Sequence, residues 1–222
     1  MAELQTTYLG LQLKNPILAA SSGLTNSLSD IQEFESHGAA AVVLKSVFEE
    51  EIRIQLEKDQ EAMSREAFIY PETLEFYEDF VSDDSLTSYL GLISEAKKNV
   101  SIPIIASVNC VSSDKWPYYA QYLEDAGADA LELNIFMMPS DFDKSCEEIE
   151  KNYFQIVEAV KQYVRIPISL KISFYANNLG SLIQQLSHSG IAGMVLFNRF
   201  YSPDLDINQL KILSTNVLSN SS

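Results

Sequence analysis

The sequence contains few of the residues that bind metals or cross-link chains. It has two cysteines, Cys110 and Cys146, and two histidines, His37 and His188, among 222 residues. Two cysteines allow at most one bridge, and we expect both to be free thiols in a reducing compartment. Each histidine precedes a glycine at the end of a helical stretch, so we interpret it as a helix-end residue. The sequence therefore predicts no metal site.

Basic residues and long apolar runs are also scarce. The chain has 15 basic and 31 acidic residues, which gives a net charge of −16. This charge disfavours nucleic acids and anionic membranes as partners. No apolar run approaches the roughly 18 residues that span a bilayer, and the opening MAELQTTYLG lacks the features of a signal peptide. We therefore expect a cytoplasmic protein whose partner is a small-molecule substrate, with no nucleic acid and no membrane.

What the chain does contain is an alternation of short Ile- and Val-rich runs with longer stretches of helical period. This alternation is typical of βα units that build a parallel sheet. The length and a hydrophobic content of 46% fit one domain over residues 1–222. A short β-hairpin is predicted at TTYLGLQLKNP, ahead of the first strand. Six strands are predicted, at Pro16–Ser21, Ala40–Val47, Ile102–Asn109, Ala130–Ile135, Ile166–Ser173 and Gly193–Asn198.

An internal repeat favours a closed barrel over an open sheet. VSIPIIASVN recurs as VRIPISLKIS, with Pro103 and Pro167 64 residues apart, and AGADALELN recurs as SGIAGMVLFN, with Gly127 and Gly190 63 residues apart. Eight strands at this period would need about 290 residues. The tail KILSTNVLSNSS is polar and predicts no seventh strand. We expect an incomplete (β/α) TIM barrel of about six of eight βα units, truncated, with open edges that would favour a homo-oligomer.

Polar residues stand at the carboxyl ends of these predicted strands, where parallel β/α folds bind their ligands. A strand must end somewhere polar, so any one position is weak support. Together, however, amides and ammonium groups embedded in apolar strands need partners, which a polar, planar ligand would supply. The positions are Ser21, Ser22, Gly23, Lys45, Ser46, Asn109, Asn134, Lys171 and Asn198.

The same positions carry a family resemblance. The runs NPILAASSG, VVLKS, ASVNC, LELN, SLKIS and VLFN resemble, in order and spacing, the FMN-binding positions of the dihydroorotate dehydrogenase family. The resemblance implies a flavoprotein oxidoreductase that acts on CH–CH bonds in pyrimidine biosynthesis. It also implies that Ser21, Ser22 and Gly23 approach the flavin ring. Lys45 and Ser46 would lie near the ring and the ribityl chain.

The remaining positions of the resemblance come from the later strands. Asn109 and Asn134 would hydrogen-bond FMN or the substrate facing it. Lys171 would place its cation near the pyrimidine side of the flavin, where it stabilises the anionic reduced form. Asn198 would complete the pocket.

The sequence departs from the family where proton transfer takes place. The family pattern has a catalytic Cys or Ser on a loop after the fourth-strand Asn, whereas this chain has Met137, which cannot accept a proton. Ser140 or Asp141 are the weak candidates to replace it. The loop EKDQEAMSREAFIYPETLEFYEDF is acidic and would repel an anionic substrate unless Arg65 offsets it. The substrate therefore stays open.

A second departure concerns the FMN phosphate, which the family holds with glycine-rich backbone after the seventh and eighth strands. Nothing after Asn198 supplies such a motif, and we interpret Gly190 and Gly193 as a helix stop and a close-packing position. We therefore expect weak or absent FMN binding by this chain.

Three functions from different classes remain open. The first is an FMN-dependent, dihydroorotate dehydrogenase-like oxidoreductase, active when the barrel is complete. The second is an inactive fragment or remnant that needs the missing strands. The third is a lyase or aldolase in which Lys171, buried at a strand end, forms a Schiff base.

Overall fold

A computed structural model of the chain describes residues 3–49, 84–110, 115–137, 145–176, 178–198, 203–206 and 211–214. Its strands are β1 Thr6–Tyr8, β2 Leu11–Leu13, β3 Leu18–Ala19, β4 Ala41–Val43, β5 Val47–Phe48, β6 Ile104–Asn109, β7 Ala130–Ile135, β8 Ile168–Ile172, β9 Gly193–Leu196, β10 Pro203–Asp206 and β11 Lys211–Ser214. Its helices are α1 Leu28–Ser36, α2 Asp84–Asn99, α3 Trp116–Asp125, α4 Cys146–Lys161 and α5 Leu179–Ser187, with a 3₁₀ turn at Gly23–Thr25.

The central sheet is parallel, and its strands follow one another in chain order from β3 to β9. β4 and β5 share one position, since both pair with β6, at Val42↔Ile104 and at Val47↔Val108. All six predicted strands are therefore present. The sheet curls into an incomplete α/β barrel with the five helices outside it, which confirms the predicted fold class.

Three of the described helices begin at a side-chain cap, which is Ser27 at α1, Ser145 at α4 and Asn178 at α5. At α4, Ser145 accepts a hydrogen bond from the backbone N–H of Glu148, whose carboxylate accepts one from the Ser145 N–H in return. Such reciprocal caps satisfy donors that a helix start leaves without partners. Three glycines that follow helix ends have positive φ, of 98°, 100° and 84°, as a left-handed helix end requires: Gly38, Gly127 and Gly190.

The core has two layers because successive strand residues point to opposite faces of the sheet. The outer layer packs strand side chains such as Leu131 and Leu133 against helix residues such as Ile93 and Leu123. The inner layer fills the amino-terminal ends of the strands with small and branched residues, including Ala41, Val43, Ile105 and Ala130.

The predicted hairpin of β1 and β2 closes this amino-terminal end. Its two-residue turn, Leu9–Gly10, has positive φ at both positions, 54° and 76°, which is the geometry of hairpin turns that match strand twist. Leu9 is only 3% exposed and packs with the inner layer. A Cβ on Gly193 would come within 2.7 Å of Leu9 Cδ2, which confirms Gly193 as a close-packing position.

The described part of the tail forms a strand, but it is not a seventh strand of the barrel, in agreement with the prediction. β10 and β11 pair antiparallel, with Asp204 opposite Leu213. The sequence gives little sign of these strands, because each has only four residues and β10 is half aspartate. Within the described residues the two strands pair with each other and add nothing to the barrel sheet. No described helix has the length and apolar character that crossing a membrane requires.

Candidate functional site

Asn134 is the centre of a hydrogen-bonded group at the carboxyl ends of the strands. It is 6% exposed. The Asn198 Nδ2 donates to Asn134 Oδ1 at 2.8 Å, and the Asn109 Nδ2 donates to the Asn134 backbone carbonyl at 2.7 Å. Asn134 Nδ2 in turn donates to Ser46 Oγ at 3.3 Å. Three of the predicted asparagines and one predicted serine therefore do meet at one place.

A line of three serine hydroxyls leads from these strand ends into the barrel. Ser21 Oγ lies 3.3 Å from Ser46 Oγ, and Ser46 Oγ lies 2.7 Å from Ser107 Oγ. Ser107 Oγ donates to Glu132 Oε1 at 3.2 Å. Sequence reasoning missed Ser107, although its spacing of two residues from Asn109 places both side chains on the inner face of β6.

An interruption of the second barrel strand brings Ser46 into this line. Between β4 and β5 the backbone leaves the sheet, so that Lys45 N–H donates to the Thr25 carbonyl at 3.3 Å and Ser46 N–H donates to Ser21 Oγ at 3.1 Å. The Tyr89 hydroxyl from α2 completes the edge of β6. It accepts from Ser107 N–H at 3.0 Å and donates to the Ser107 carbonyl at 3.2 Å, and burial raises its pKa well above the usual range.

A buried ion pair lies one layer below the asparagines. Lys171 Nζ is 3.4 Å from Glu132 Oε1, and the two side chains are 11% and 4% exposed. Burial raises the pKa of the Glu132 carboxyl, while Lys171 and the Ser107 hydroxyl act in the opposite direction. Lys171 was predicted as a site residue but Glu132 was not. Its signal was an acid inside an apolar strand, two residues from Asn134.

The predicted residues Ser22 and Gly23 have a local structural role. Ser22 Oγ accepts from the Leu24 N–H at 3.2 Å, and Thr25 Oγ1 accepts from the Ser22 N–H at 3.2 Å. Ser22 and Gly23 are exposed on the 3₁₀ turn, outside the hydrogen-bonded group of Asn134. Their turn supports the site through the Thr25 carbonyl that receives Lys45 N–H.

Met137, which we predicted to replace the family base, packs against the outer hydrophobic core. The residue before it, Phe136, is 40% exposed and makes an edge-on contact with Tyr175, with ring centroids 6.4 Å apart. The described part of this loop therefore presents an aromatic ring next to Met137. Ser140, Asp141 and the acidic segment with Arg65 lie outside the described residues.

The cysteines and histidines have structural positions. Cys110 is buried in the outer core, Cys146 is exposed at the start of α4, and neither is disulfide-bonded. His37 Nδ1 lies 2.8 Å from the Glu33 carbonyl and His188 Nδ1 lies 2.7 Å from the Gln184 carbonyl, each at the end of its helix. Over the described ranges, no three metal-binding side chains come together.

Comparison with known proteins confirms the resemblance seen in the sequence. The chain is 26% identical over 194 residues to the catalytic subunit of dihydroorotate dehydrogenase B (NAD(+)) from Thermoplasma volcanium, a match that covers 81% of this chain and 57% of that protein. The same subunit from Thermoplasma acidophilum is 25% identical over 97% of this chain and 69% of its own length. The NAD-dependent dihydropyrimidine dehydrogenase subunit PreA of Escherichia coli is 23% identical over 93% of this chain.

The chain thus spans about 57% to 69% of the length of the Thermoplasma proteins. No protein-family model matches it. Among solved structures, a phosphonopyruvate hydrolase in complex with oxalate and Mg²⁺ superimposes with a TM-score of 0.50 at 17% identity, covering 86% of this chain and 61% of that one. This likeness supports the fold alone.

Proposed function

We propose that residues 1–222 form a single incomplete barrel domain that carries the flavin-ring side of an FMN-dependent oxidoreductase, related to dihydroorotate dehydrogenase. The relatives support the general kind of enzyme. The observation that carries the proposal is the hydrogen-bonded group of Asn134 with the Lys171 ammonium beside it. A cytoplasmic location and a homo-oligomer belong to the same proposal.

The chemistry of these side chains fits a flavin ring. The polar edge of an isoalloxazine presents carbonyl oxygens, ring nitrogens and one N–H, which need both donors and acceptors. Amides supply both, and the serine hydroxyls can turn to supply either. Asn109 and Asn134 lie on the neighbouring strands β6 and β7, and Asn198 follows β9, on the far side of β8. The Asn198 side chain nevertheless reaches Asn134 by a hydrogen bond of 2.8 Å, so a planar group across the strand ends could reach all three.

When bound, FMN would accept a hydride from the substrate. The residues of this chain would orient the ring and balance its charge, with Lys171 as the cation. Proton removal from the substrate has no described group at the family position, because Met137 has no titratable atom. We infer that the substrate either needs no base at that position or receives one from Ser140 or Asp141.

The alternative Schiff-base function is less well supported than the flavin function. A lysine that attacks a carbonyl must be neutral. In the structure Lys171 Nζ is instead paired with the Glu132 carboxylate, 3.4 Å away. An inactive remnant would keep the fold but bind no flavin. A flavin-binding measurement therefore distinguishes it from the proposed FMN-dependent oxidoreductase.

The test is a titration of the purified chain with FMN and with riboflavin, followed by quenching of flavin fluorescence. If the chain supplies the ring side only, both flavins should bind weakly, with dissociation constants within about threefold of each other. Replacing Asn134 with Ala should raise both dissociation constants by about tenfold, since the variant lacks the amide that would hydrogen-bond the flavin.

The matched control is Asn99→Ala. Asn99 is the last residue of α2 and donates to the Glu95 carbonyl on the exposed face of that helix. It precedes the amino-terminal end of β6, whereas the Asn134 group lies at the carboxyl ends of the strands. Flavin affinity should not change in this variant. No saturable quenching by either flavin, or equal affinities for wild type and a folded Asn134→Ala protein, would refute the proposed flavin site.

A further inference from the structure

A lysine inside a barrel is subject to two opposing effects. Burial favours the neutral amine, because removing a charge from water is costly, whereas a nearby carboxylate favours the ammonium. The side chain of Lys171 is 11% exposed and its Nζ lies 3.4 Å from Glu132 Oε1. Glu132 is therefore the carboxylate that the structure places next to the buried Lys171 side chain.

The sheet register shows how the pair is arranged. Lys171 lies opposite Asn134 on β7, whereas Glu132 lies opposite Ser169, one inward-facing layer closer to the hairpin. To reach Glu132, the Lys171 side chain has to turn back from the strand ends toward the barrel interior. The carboxylate thus fixes the position of the ammonium as well as its charge.

Burial raises the pKa of the Glu132 carboxyl, and the hydrogen bond from Ser107 and the nearby Lys171 act in the opposite direction. Ser107 Oγ donates to the same Oε1 atom from β6. The other titratable groups that face it are the phenols of Tyr8 from β1 and Tyr89 from α2, and burial raises the pKa of both. Neutral phenols on two sides leave Lys171 as its counter-charge among the described groups that act on it.

We propose that Glu132 is a positioning residue that holds Lys171 as a buried ammonium just below the strand ends. The proposal concerns the protein without flavin and so goes beyond the proposed function. It explains how the cation would be in place before a ligand arrives. It also predicts that this lysine stays unreactive toward carbonyl compounds as long as Glu132 is charged.

Reductive methylation with formaldehyde and dimethylamine–borane at pH 7 tests this, because only neutral amines react. Peptide mass spectrometry gives the rate for Lys171 relative to Lys98, which is exposed on α2. Replacing Glu132 with Gln removes the charge and keeps the shape. The relative rate of Lys171 should then rise by about tenfold or more.

A second ion pair supplies the matched control. Lys97 Nζ lies 2.6 Å from Asp129 Oδ1 on the surface, where the side chains are 35% and 25% exposed. Because water stabilises the Lys97 ammonium without Asp129, Asp129→Asn should change the Lys97 rate by less than about threefold. In Glu132→Gln the Lys97 rate should also stay constant, which shows that the fold is intact.

A charge-conserving variant separates the electrostatic role from a structural one. Glu132→Asp keeps the carboxylate but withdraws it by about one methylene, so its Lys171 rate should lie between wild type and Glu132→Gln. An unchanged Lys171 rate in a folded Glu132→Gln protein would overturn the proposal. Should that variant not fold, an Asp variant that reacts no faster than wild type would overturn it equally. Since no flavin is present, neither result depends on the flavin site.

Discussion

Two glutamates show how strongly position changes the properties of one side chain. Glu132 lies inside the barrel, where burial raises its pKa. Glu35 lies at the surface of α1, where the Ser101 hydroxyl and backbone N–H donate to its Oε1 at 2.6 and 2.7 Å and lower its pKa. The Glu35 contact joins α1 to the loop before β6, so it ties two consecutive βα units together.

The Glu35 contact should stabilise the fold in a pH-dependent way. Because the folded pKa is below the ordinary value of 4.5, the contribution is present above pH 4.5 and is lost as pH falls through the folded pKa. Ser101→Ala should lower the free energy of unfolding at pH 7 by about 0.5–1 kcal/mol, a small value because the site is exposed. Urea denaturation at pH 7 and at about pH 2 measures the difference.

At the acidic pH the Ser101→Ala protein should match wild type. Glu33→Gln, a change at another exposed glutamate of α1, is the control and should show no such pH dependence. An equal loss of stability at both pH values would mean that Ser101 acts through packing rather than through the Glu35 carboxylate.

At the scale of elements, two features position the site. The interruption between β4 and β5 frees the backbone of Lys45 and Ser46 to bond with Thr25 and Ser21, which brings the Ser46 hydroxyl into the barrel. At this interruption the Tyr89 hydroxyl hydrogen-bonds both the backbone N–H and the backbone carbonyl of Ser107 on the edge of β6. A helix on the outside of the barrel therefore helps to hold a serine on the inside.

Helix α2, which carries Tyr89, contains a glycine at a position where neither the backbone conformation nor the packing requires one. Gly91 lies in the middle of α2, is exposed, has no positive φ, and a Cβ there would meet nothing within 4 Å. Glycine in a helix interior costs up to about 1 kcal/mol relative to alanine. Gly91→Ala should therefore raise the free energy of unfolding by about 0.5–1 kcal/mol in urea denaturation. A loss of stability would show that the helix surface at Gly91 is in contact with another part of the chain.

At the scale of the whole molecule, the barrel interior has two ends of opposite character. The amino-terminal end is apolar and is filled by the hairpin, whose Leu9 and Leu13 pack on Ala41 and Ala130. The carboxyl end is polar and carries the hydrogen-bonded group of Asn134. The Glu132–Lys171 pair lies between them, so the apolar floor keeps water from one side of the pair.

The close contact between the hairpin and β9 makes Gly193 a sensitive position. A Cβ there would lie 2.7 Å from Leu9 Cδ2 and 3.1 Å from Tyr8 Cε2, and Leu9 is buried and cannot move away freely. Gly193→Ala should lower the free energy of unfolding by about 1–3 kcal/mol, the usual range for overpacking. Gly91→Ala, with the same chemical change and open space, is the control. Equal stabilities for the two variants would contradict this packing of the hairpin.

The architecture could be predicted from the sequence because its signals are local. Parallel strands buried on both faces are rich in apolar residues, as in Ile104–Asn109 and Ala130–Ile135, and helix ends need caps or left-handed glycines. The rule that ligands bind at strand ends then selected Asn109, Asn134, Asn198 and Lys171. The selection of these four residues needs only the order of the strands along the chain and the alternation of side chains along each strand, and both can be read from the sequence.

What only the tertiary structure decided is which side chains are partners. The structure shows that Ser22, whose flavin contact stays a prediction, caps a turn, because a hydroxyl bonds to whichever group the backbone brings near. Glu132 was passed over, because an acid within an apolar strand acquires its meaning from Lys171, 39 positions later, and from Ser107 on another strand. Burial and pairing depend on distances across the barrel, and those exist only once the strands are assembled.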